Sequence, residues 1–289
     1  MAELMGPLRS VLYIPAANAR ALDKARGLAV DGLIFDLEDA VAPDAKAGAR
    51  DILAQALGSG FGSRVTMVRI NGFDTQWAAG DLAALAAVRP EAVLLPKVNG
   101  AADVEALDRL LAQHGLAETR IWAMMETCTG VMNAAAIARA PRMAGFILGT
   151  NDLAREIGCA TGGDRMAMMV ALQTCLLAAR AAGIACVDGV YNAFRDEEGL
   201  RAECEQGRSL GMDGKTLIHP AQVAVANAVF APTVEALDLA RRQIVAYEAA
   251  LAAGQGVAVL DGRIVENLHI VTARATLAKA EAIAALERT

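Results

Sequence analysis

Short apolar segments alternate eight times with longer segments that have helical spacing. The apolar segments are expected to be strands, and they span residues 10–14, 33–37, 65–70, 92–96, 121–125, 145–148, 184–188 and 215–218. They are apolar throughout rather than alternately apolar and polar, which is typical of parallel strands covered on both faces. Eight strand–helix units favour a parallel sheet closed into a (β/α)8 TIM barrel over an open doubly wound sheet.

The chain is longer than this barrel requires. A (β/α)8 barrel takes about 250 residues or fewer, and the eighth unit ends well before residue 289. We therefore predict a catalytic barrel over residues 1–232 and a C-terminal lid extension over 233–289. In the extension we expect a long helix over 233–251, a small hairpin turning at Asp261-Gly262, and a final helix over 269–286.

Composition excludes several classes of partner. The net charge is −6 and no basic run occurs, which argues against nucleic acid. Uncharged runs are shorter than the roughly 18 residues of a membrane span. The five cysteines form no C-x-x-C pair, and residues 1–10 have no apolar signal segment, so we expect free thiols in a reducing cytoplasm.

Polar side chains follow nearly every predicted strand, at the end of the barrel where TIM-barrel active sites form. In strand order they are Asp36, Glu38 and Asp39, then Arg69 and Asn71, then Lys97, Glu126, Asn151 and Asp152, Asp188, and His219. Loops are polar in general, so each residue alone has a structural explanation. Together, on one rim, they predict a convergent polar pocket.

Glu126 and Asp152 are the best candidates for metal ligands. They follow the ends of two adjacent predicted strands, so their carboxylates could bind the same ion. Two carboxylates together with waters and substrate oxygens suit Mg²⁺, whereas no His/Cys cluster offers a zinc site. The alternative is that Asp152 caps the N-terminus of the next helix.

The basic residues of the predicted rim also have two interpretations each. Arg69 could bind a substrate carboxylate or enolate oxygen, or form a salt bridge with the acidic residues that follow the second strand. Lys97 is expected to pair with a neighbouring carboxylate. His219 is expected to hydrogen-bond a loop rather than act as a base.

Nine short motifs occur in an order and spacing that resemble the citrate lyase β-subunit and malyl-CoA lyase family of the HpcH/HpaI aldolase superfamily. They are RSVL from Arg9 with Pro15, FDLEDAVAP from Phe35, VRING from Val68, LPKV from Leu95, MET from Met125, GTNDLA from Gly149, VDG from Val187, LGMDGK from Leu210 and IHPAQV from Ile218. Each motif is short, but together they cover nearly the whole chain.

This resemblance implies a carbon–carbon lyase. Such an enzyme would cleave or form a β-hydroxyacyl-CoA thioester, such as malyl-CoA or citramalyl-CoA, with a 2-oxo acid and an acyl-CoA as the other partners. It implies Mg²⁺ on Glu126 and Asp152, and a catalytic set of Arg69, Glu38 and Asp39. It also implies a homotrimer or hexamer in the cytoplasm.

The resemblance further implies that the C-terminal extension crosses to a neighbouring subunit with a catalytic carboxylate. That carboxylate is usually an aspartate in the family, whereas Glu266 follows Gly262-Arg263-Ile264-Val265 here. We assign Glu266 the acid–base role. Because a glutamate is one methylene longer and proton transfer depends on reach, this departure leaves the substrate open.

The diphosphate of CoA requires a basic patch, for which Arg20, Lys24 and Arg26 after the first strand are the candidates; a solvated helix face is the alternative. Three other functions stay open at this point. They are hydrolysis of a malyl-type thioester, a CoA-independent aldolase acting on hydroxy-oxo acids, and a non-catalytic citrate-lyase-like subunit that binds an acyl-carrier protein.

Overall fold

Eight parallel strands form a closed barrel in chain order, in a computed structural model that describes residues 6–288. The strands are β1 (Ser10–Pro15), β2 (Gly32–Asp36), β3 (Val65–Arg69), β4 (Ala92–Leu95), β5 (Arg120–Met125), β6 (Met143–Leu148), β7 (Ala185–Asp188) and β8 (Gly214–Leu217). β1 pairs with both β2 and β8, which closes the ring. The predicted (β/α)8 barrel is confirmed, and all eight predicted strands are present within two residues of their expected bounds.

Helices connect successive strands on the outside of the barrel. They are α1 (Ala19–Ala25), α2 (Lys46–Gly58), α3 (Ala78–Val88), α4 (Ala101–Gln113), α5 (Cys128–Met132), α6 (Ala134–Ile137), α7 (Thr150–Ile157), α8 (Met169–Ala182), α9 (Glu197–Leu210) and α10 (Val223–Phe230). Local signals set several ends. Asp196 caps α9 by accepting a hydrogen bond from the Gly199 amide, and Gly183 ends α8 in the left-handed conformation at φ 72°.

Side chains on each strand alternate between the barrel lumen and the helices. The lumen core contains Val11, Ile34, Met67, Leu94, Trp122, Met124, Ile147, Ala185 and Val187. A side chain two residues further along a strand points the same way. Asp36, Arg69 and Glu126, which follow Ile34, Met67 and Met124 by two residues, therefore face the lumen at its carboxyl rim.

The chain divides into two compact units, and the first ends at Phe230. The second unit contains α11 (Val234–Ala252), β9 (Ala258–Leu260), β10 (Arg263–Val265) and α12 (Asn267–Leu286). β9 and β10 form the expected antiparallel hairpin. Its two-residue turn places Asp261 at φ 51° and Gly262 at φ 75°, the left-handed pair that a type I′ turn requires.

One segment is long and apolar enough, by length and composition alone, to cross a membrane. Among the described residues it is the 33-residue segment Pro220–Ala252, within which an 18-residue window has a mean hydropathy of 1.4. A short 3-10 helix, α10 and α11 divide it, and residues 231–233 between α10 and α11 are not helical. The segment is therefore not one continuous helix.

Candidate active site

Arg69 is held against three carboxylates at the rim of the barrel. It is the register partner of Asp36 on the neighbouring strand, and its Nε and Nη2 donate to the two Asp36 oxygens at 2.7 and 2.6 Å. Its Nη1 lies 3.0 Å from Glu38 and 3.5 Å from Asp39. The salt-bridge interpretation of Arg69 is therefore confirmed. The same side chain lines the central cavity, and its binding of a substrate anion stays a prediction.

The predicted pairing of Lys97 with a carboxylate is confirmed. The Lys97 ammonium lies 2.5 Å from a Glu38 oxygen. Burial raises the pKa of Glu38, although Arg69 and Lys97 act in the opposite direction. Burial lowers the pKa of Lys97, but the hydrogen bond to Glu38 and the charges of Glu38, Glu126 and Asp39 together outweigh this effect, and the net pKa is raised. Glu38 thus links the two basic side chains of the rim.

Glu126 presents a buried carboxylate at the end of β5. Its Oε1 accepts a hydrogen bond of 2.7 Å from the Lys97 amide. A Cβ on Gly149 would lie 2.4 Å from the Glu126 Cβ and 2.6 Å from its Oε2, so only glycine fits beside it. Burial raises the pKa of Glu126 to about 7, the Lys97 amide opposes this rise, and the Glu38 charge adds to it. This carboxylate is poised to bind a cation that compensates its lost hydration.

Asp152 lies in the first turn of α7 and faces the same cavity as Glu126. The helix begins after Gly149, which is its N-cap residue and has no side chain to cap with. The alternative interpretation of Asp152 as the helix cap is therefore wrong. Its carboxylate pairs with Arg155 at 2.7 Å on the more exposed side. Its charge also raises the pKa of Glu126, which indicates that the two carboxylates interact.

The cavity between these residues has a volume of about 300 Å³. It is lined by Tyr13, Asp36, Asp39, Ala40, Arg69, Met124, Glu126, Leu148, Gly149, Thr150, Asn151, Asp152, Val190, Thr216 and Ile218. Over residues 6–288 no cluster of three or more His, Cys, Asp or Glu side chains could hold a metal. Two carboxylates in an open cavity leave coordination positions for water and substrate oxygens, which fits Mg²⁺ and not a structural zinc.

Two other residues of the predicted rim have structural roles instead. Asp188 is fully buried and follows the lumen-facing Val187 by one residue, so its side chain points out of the lumen and binds Arg165 at 2.7 and 2.9 Å and Lys215 at 3.3 Å. Asn71 donates to the Leu37 carbonyl at 3.0 Å. Neither lines the cavity, and the same holds for Glu38, Lys97 and His219, so the expectation that all the rim residues converge on one pocket is wrong at these five positions.

His219 forms a hydrogen bond within its own loop, as expected. Its Nδ1 accepts a hydrogen bond of 3.1 Å from the Ala221 amide. Its ring stacks on Phe194 with ring centroids 4.6 Å apart. The ring nitrogen that could act as a base is therefore already engaged in local capping.

The three candidate CoA-binding residues lie at different positions along α1 and just after it. Arg20 and Lys24 are exposed on this helix, which begins at the carboxyl rim. Arg26 follows the helix at its far end, where its guanidinium donates to the carbonyls of Ala56 and Gly60. Arg26 thus contacts α2 and the residues after it and is not part of the cavity lining, and its role in CoA binding stays a prediction.

Glu266 lies in the second unit, exposed at the start of α12. Its backbone amide donates to Nδ1 of His269 at 3.0 Å. An exposed carboxylate at the junction of a hairpin and a helix is accessible to another molecule. Its role as a lid residue stays a prediction.

Comparisons with known proteins agree with this geometry. Residues 9–220 match the family model described as HpcH/HpaI aldolase/citrate lyase. A (3S)-malyl-CoA thioesterase of Cereibacter sphaeroides is 60% identical over 99% of both chains. An L-malyl-CoA/β-methylmalyl-CoA lyase of Cereibacter sphaeroides is 36% identical over 96% of both. The structure of CitE from Mycobacterium tuberculosis with magnesium, acetoacetate and coenzyme A superimposes with a TM-score of 0.78 at 32% identity, covering 96% of this chain and 98% of that one.

Proposed function

Since the chain belongs to the HpcH/HpaI aldolase/citrate lyase family, we propose that it is a magnesium-dependent thioesterase acting on a hydroxydicarboxylic acyl-CoA, with (3S)-malyl-CoA as the leading substrate. The buried Glu126 that faces Asp152 across an open cavity carries the metal-dependent part of this proposal. The relative at 60% identity supports hydrolysis over carbon–carbon cleavage. The sequence-based preference for a lyase thus becomes the second candidate.

Glu126 and Asp152 are the residues that would hold Mg²⁺. When bound there, the ion supplies Lewis-acid chemistry to substrate oxygens. The CitE structure that contains magnesium and coenzyme A supports both groups for this chain. The Lys97 amide donates a hydrogen bond to the Glu126 carboxylate, so the Glu126 side chain is oriented before a ligand binds.

Arg69 would hold the anionic part of the substrate. Its two bonds to Asp36 restrain the guanidinium, and its Nη1 remains at the edge of the cavity. A restrained guanidinium loses little freedom when it binds a carboxylate, which favours binding. Burial opposes the charge on Arg69, but Asp36 outweighs this effect and its net pKa is raised well above the usual value, so the side chain stays charged.

Hydrolysis requires a base that water can reach. Four carboxylates line the cavity; Glu126 and Asp152 form the metal pair and Asp36 is bound to Arg69. Asp39 remains, and its side chain is 63% exposed. We assign to Asp39 the removal of a proton from water, whose oxygen bonds to the thioester carbon. The carbon–sulfur bond then breaks, and the thiolate takes up a proton as free CoA.

Product analysis tests the proposal directly. Purified protein, Mg²⁺ and malyl-CoA are expected to yield free CoA thiol and malate, with no glyoxylate. Chelation of the metal and Glu126→Gln should each abolish the reaction, whereas Glu105→Gln on the exposed face of α4 should not. Release of neither thiol nor glyoxylate by the parent would exclude both candidate functions.

The second candidate, carbon–carbon cleavage, is favoured by the lyase relative at 36% identity. The same metal pair and Arg69 would serve it, and Glu266 of a neighbouring copy would act as the acid or base. Its products are glyoxylate and acetyl-CoA, without free thiol. The assay above therefore separates the two reactions in one measurement.

A further inference from the structure

The phenol of Tyr13 projects into the cavity from β1. Tyr13 follows the lumen-facing Val11 by two residues and lines the same cavity as Arg69 and Glu126. It belongs neither to the metal pair nor to the carboxylate cluster around Arg69. A large amphipathic side chain at this position calls for a separate explanation.

The Tyr13 hydroxyl has only a weak partner within the protein. Over residues 6–288, its contact is the Met124 thioether at 3.9 Å. Thioether sulfur is a poor hydrogen-bond acceptor, and a buried phenol usually finds a better one. The hydroxyl proton is therefore available to an acceptor that enters the cavity.

Arg69 packs against the Tyr13 ring, and burial favours the protonated form of its phenol. The guanidinium carbon of Arg69 lies 5.0 Å from the ring centroid, a cation–π arrangement. Burial raises the pKa of Tyr13, although Arg69 acts in the opposite direction. A raised pKa keeps the Tyr13 phenol protonated at neutral pH, so it can act as a hydrogen-bond donor.

The backbone of Tyr13 lies across the barrel from the metal pair, but its hydroxyl reaches the Met124 thioether on β5, two residues before Glu126. β1 and β5 are separated by three strands in either direction around the eight-stranded ring, so they lie on opposite sides. Glu126 ends β5, and Asp152 follows β6. A substrate whose carboxylate and hydroxyl lie at the metal pair would therefore place its next carbons near the Tyr13 hydroxyl, with Arg20 and Lys24 beyond the end of β1.

We propose that the Tyr13 hydroxyl donates a hydrogen bond to the carbonyl oxygen of the substrate thioester. This inference rests on the proposed hydrolysis. When the water oxygen bonds to the carbonyl carbon, the carbonyl π electrons move onto that oxygen, and the hydrogen bond from Tyr13 strengthens as its negative charge grows. The tyrosine keeps its proton throughout, and the electron pair returns to re-form the carbonyl as the carbon–sulfur bond breaks.

Tyr13→Phe is the decisive variant, because it removes one oxygen and keeps the ring under Arg69. Loss of one donor to a developing oxyanion costs about 100-fold in kcat; we expect a fall of at least about tenfold for malyl-CoA. A CoA thioether that carries the same dicarboxylic group but lacks the carbonyl oxygen serves as inhibitor. Its Ki is expected to change less than about twofold, because it has no acceptor for Tyr13.

Tyr191→Phe is the matched control. It removes the same atom from a phenol that donates to Asp196 at 2.6 Å and does not line the cavity; kcat should stay near that of the parent. An active parent whose kcat is unchanged in Tyr13→Phe overturns the inference and leaves hydrolysis standing. A rise in the Ki of the thioether that is as large as the fall in kcat also overturns the inference, because Tyr13 would then act only by shaping the pocket. A parent that hydrolyses no malyl-CoA overturns the proposed function itself.

Discussion

Glu126→Gln should make the metal-free protein more stable at alkaline pH. The carboxylate is 1% exposed, and its pKa of about 7 lies 2.5 above the ordinary 4.5. Because folding favours its protonated form, this contribution to stability is fully present below pH 4.5 and is lost as the pH rises through 7. Glutamine is neutral at every pH and can still accept the hydrogen bond from the Lys97 amide.

The magnitude follows from the size of the pKa change. Each pKa unit corresponds to about 1.36 kcal/mol, so the ionised carboxylate lowers the free energy of unfolding by about 3 kcal/mol at pH 8. At pH 5 the folded carboxyl is protonated, and the penalty relative to glutamine falls to about 1 kcal/mol. The excess stability of the variant should therefore grow with pH.

Urea denaturation in EDTA at pH 5 and pH 8 measures both values, with the exposed Glu105→Gln as the matched control. Mg²⁺ at 100 times its Kd should then restore about 2.7 kcal/mol to the parent at pH 8. It should restore much less to Glu126→Gln, which has lost a charged ligand. A variant that is no more stable than the parent at pH 8, or whose advantage is independent of pH, would refute the electrostatic argument.

Four further substitutions test the geometry around the cavity. Gly149→Ala puts a methyl group 2.4 Å from the Cβ of Glu126; calorimetry should show Mg²⁺ binding at least about tenfold weaker, since displacements near 1 Å can cost about 100-fold, and unchanged binding would contradict this packing. Arg20→Ala should raise KM for the CoA thioester about two- to fivefold, as expected for an exposed charge pair. Arg26→Ala should leave KM unchanged and lower the melting temperature; the reverse pattern would support a role of Arg26 in CoA binding. His219→Ala should lower stability by about 1 kcal/mol, the usual value of a cap, with kcat within about threefold of the parent, and a loss of 100-fold would identify His219 as a catalytic base.

The barrel and the shared cavity of Glu126 and Asp152 could be predicted because both depend on short-range patterns. Buried parallel strands are apolar throughout, so all eight were visible in the sequence. Glu126 and Asp152 follow adjacent strands, and adjacent strand ends meet at one rim whatever the details of the loops. Neither inference required knowledge of where an individual side chain points.

Side-chain direction and position along a helix could not be predicted, because the spacing of the strands does not determine them. Arg26 lies only six residues after Arg20, but this is nearly two helical turns, which carry it to the opposite end of α1. Asp188 ends its strand like the others, but it turns towards Arg165 and Lys215 instead of the cavity. Neither of these partners could be assigned from the sequence.

Tyr13 was missed for a different reason. A tyrosine within an apolar strand was counted as part of the core, although the alternation of β1 already places it beside the lumen-facing Val11. The signal was a polar atom at the last lumen position of a strand. Applied to every strand, that rule would also have found Thr216, which lines the cavity at the end of β8.

The charge of the cavity implies an order of binding. Four carboxylates and one guanidinium line it, so with all groups ionised the lining has a net charge of −3. The only guanidinium is largely neutralised by Asp36. A substrate that is itself anionic would meet repulsion in a cavity with few screening ions, and one divalent cation reduces the charge of the lining to −1. Mg²⁺ should therefore bind before the acyl-CoA. Malate, as a minimal anionic ligand, should bind in calorimetry only when Mg²⁺ is present, and equal affinity in EDTA would show that Arg69 alone supplies the attraction.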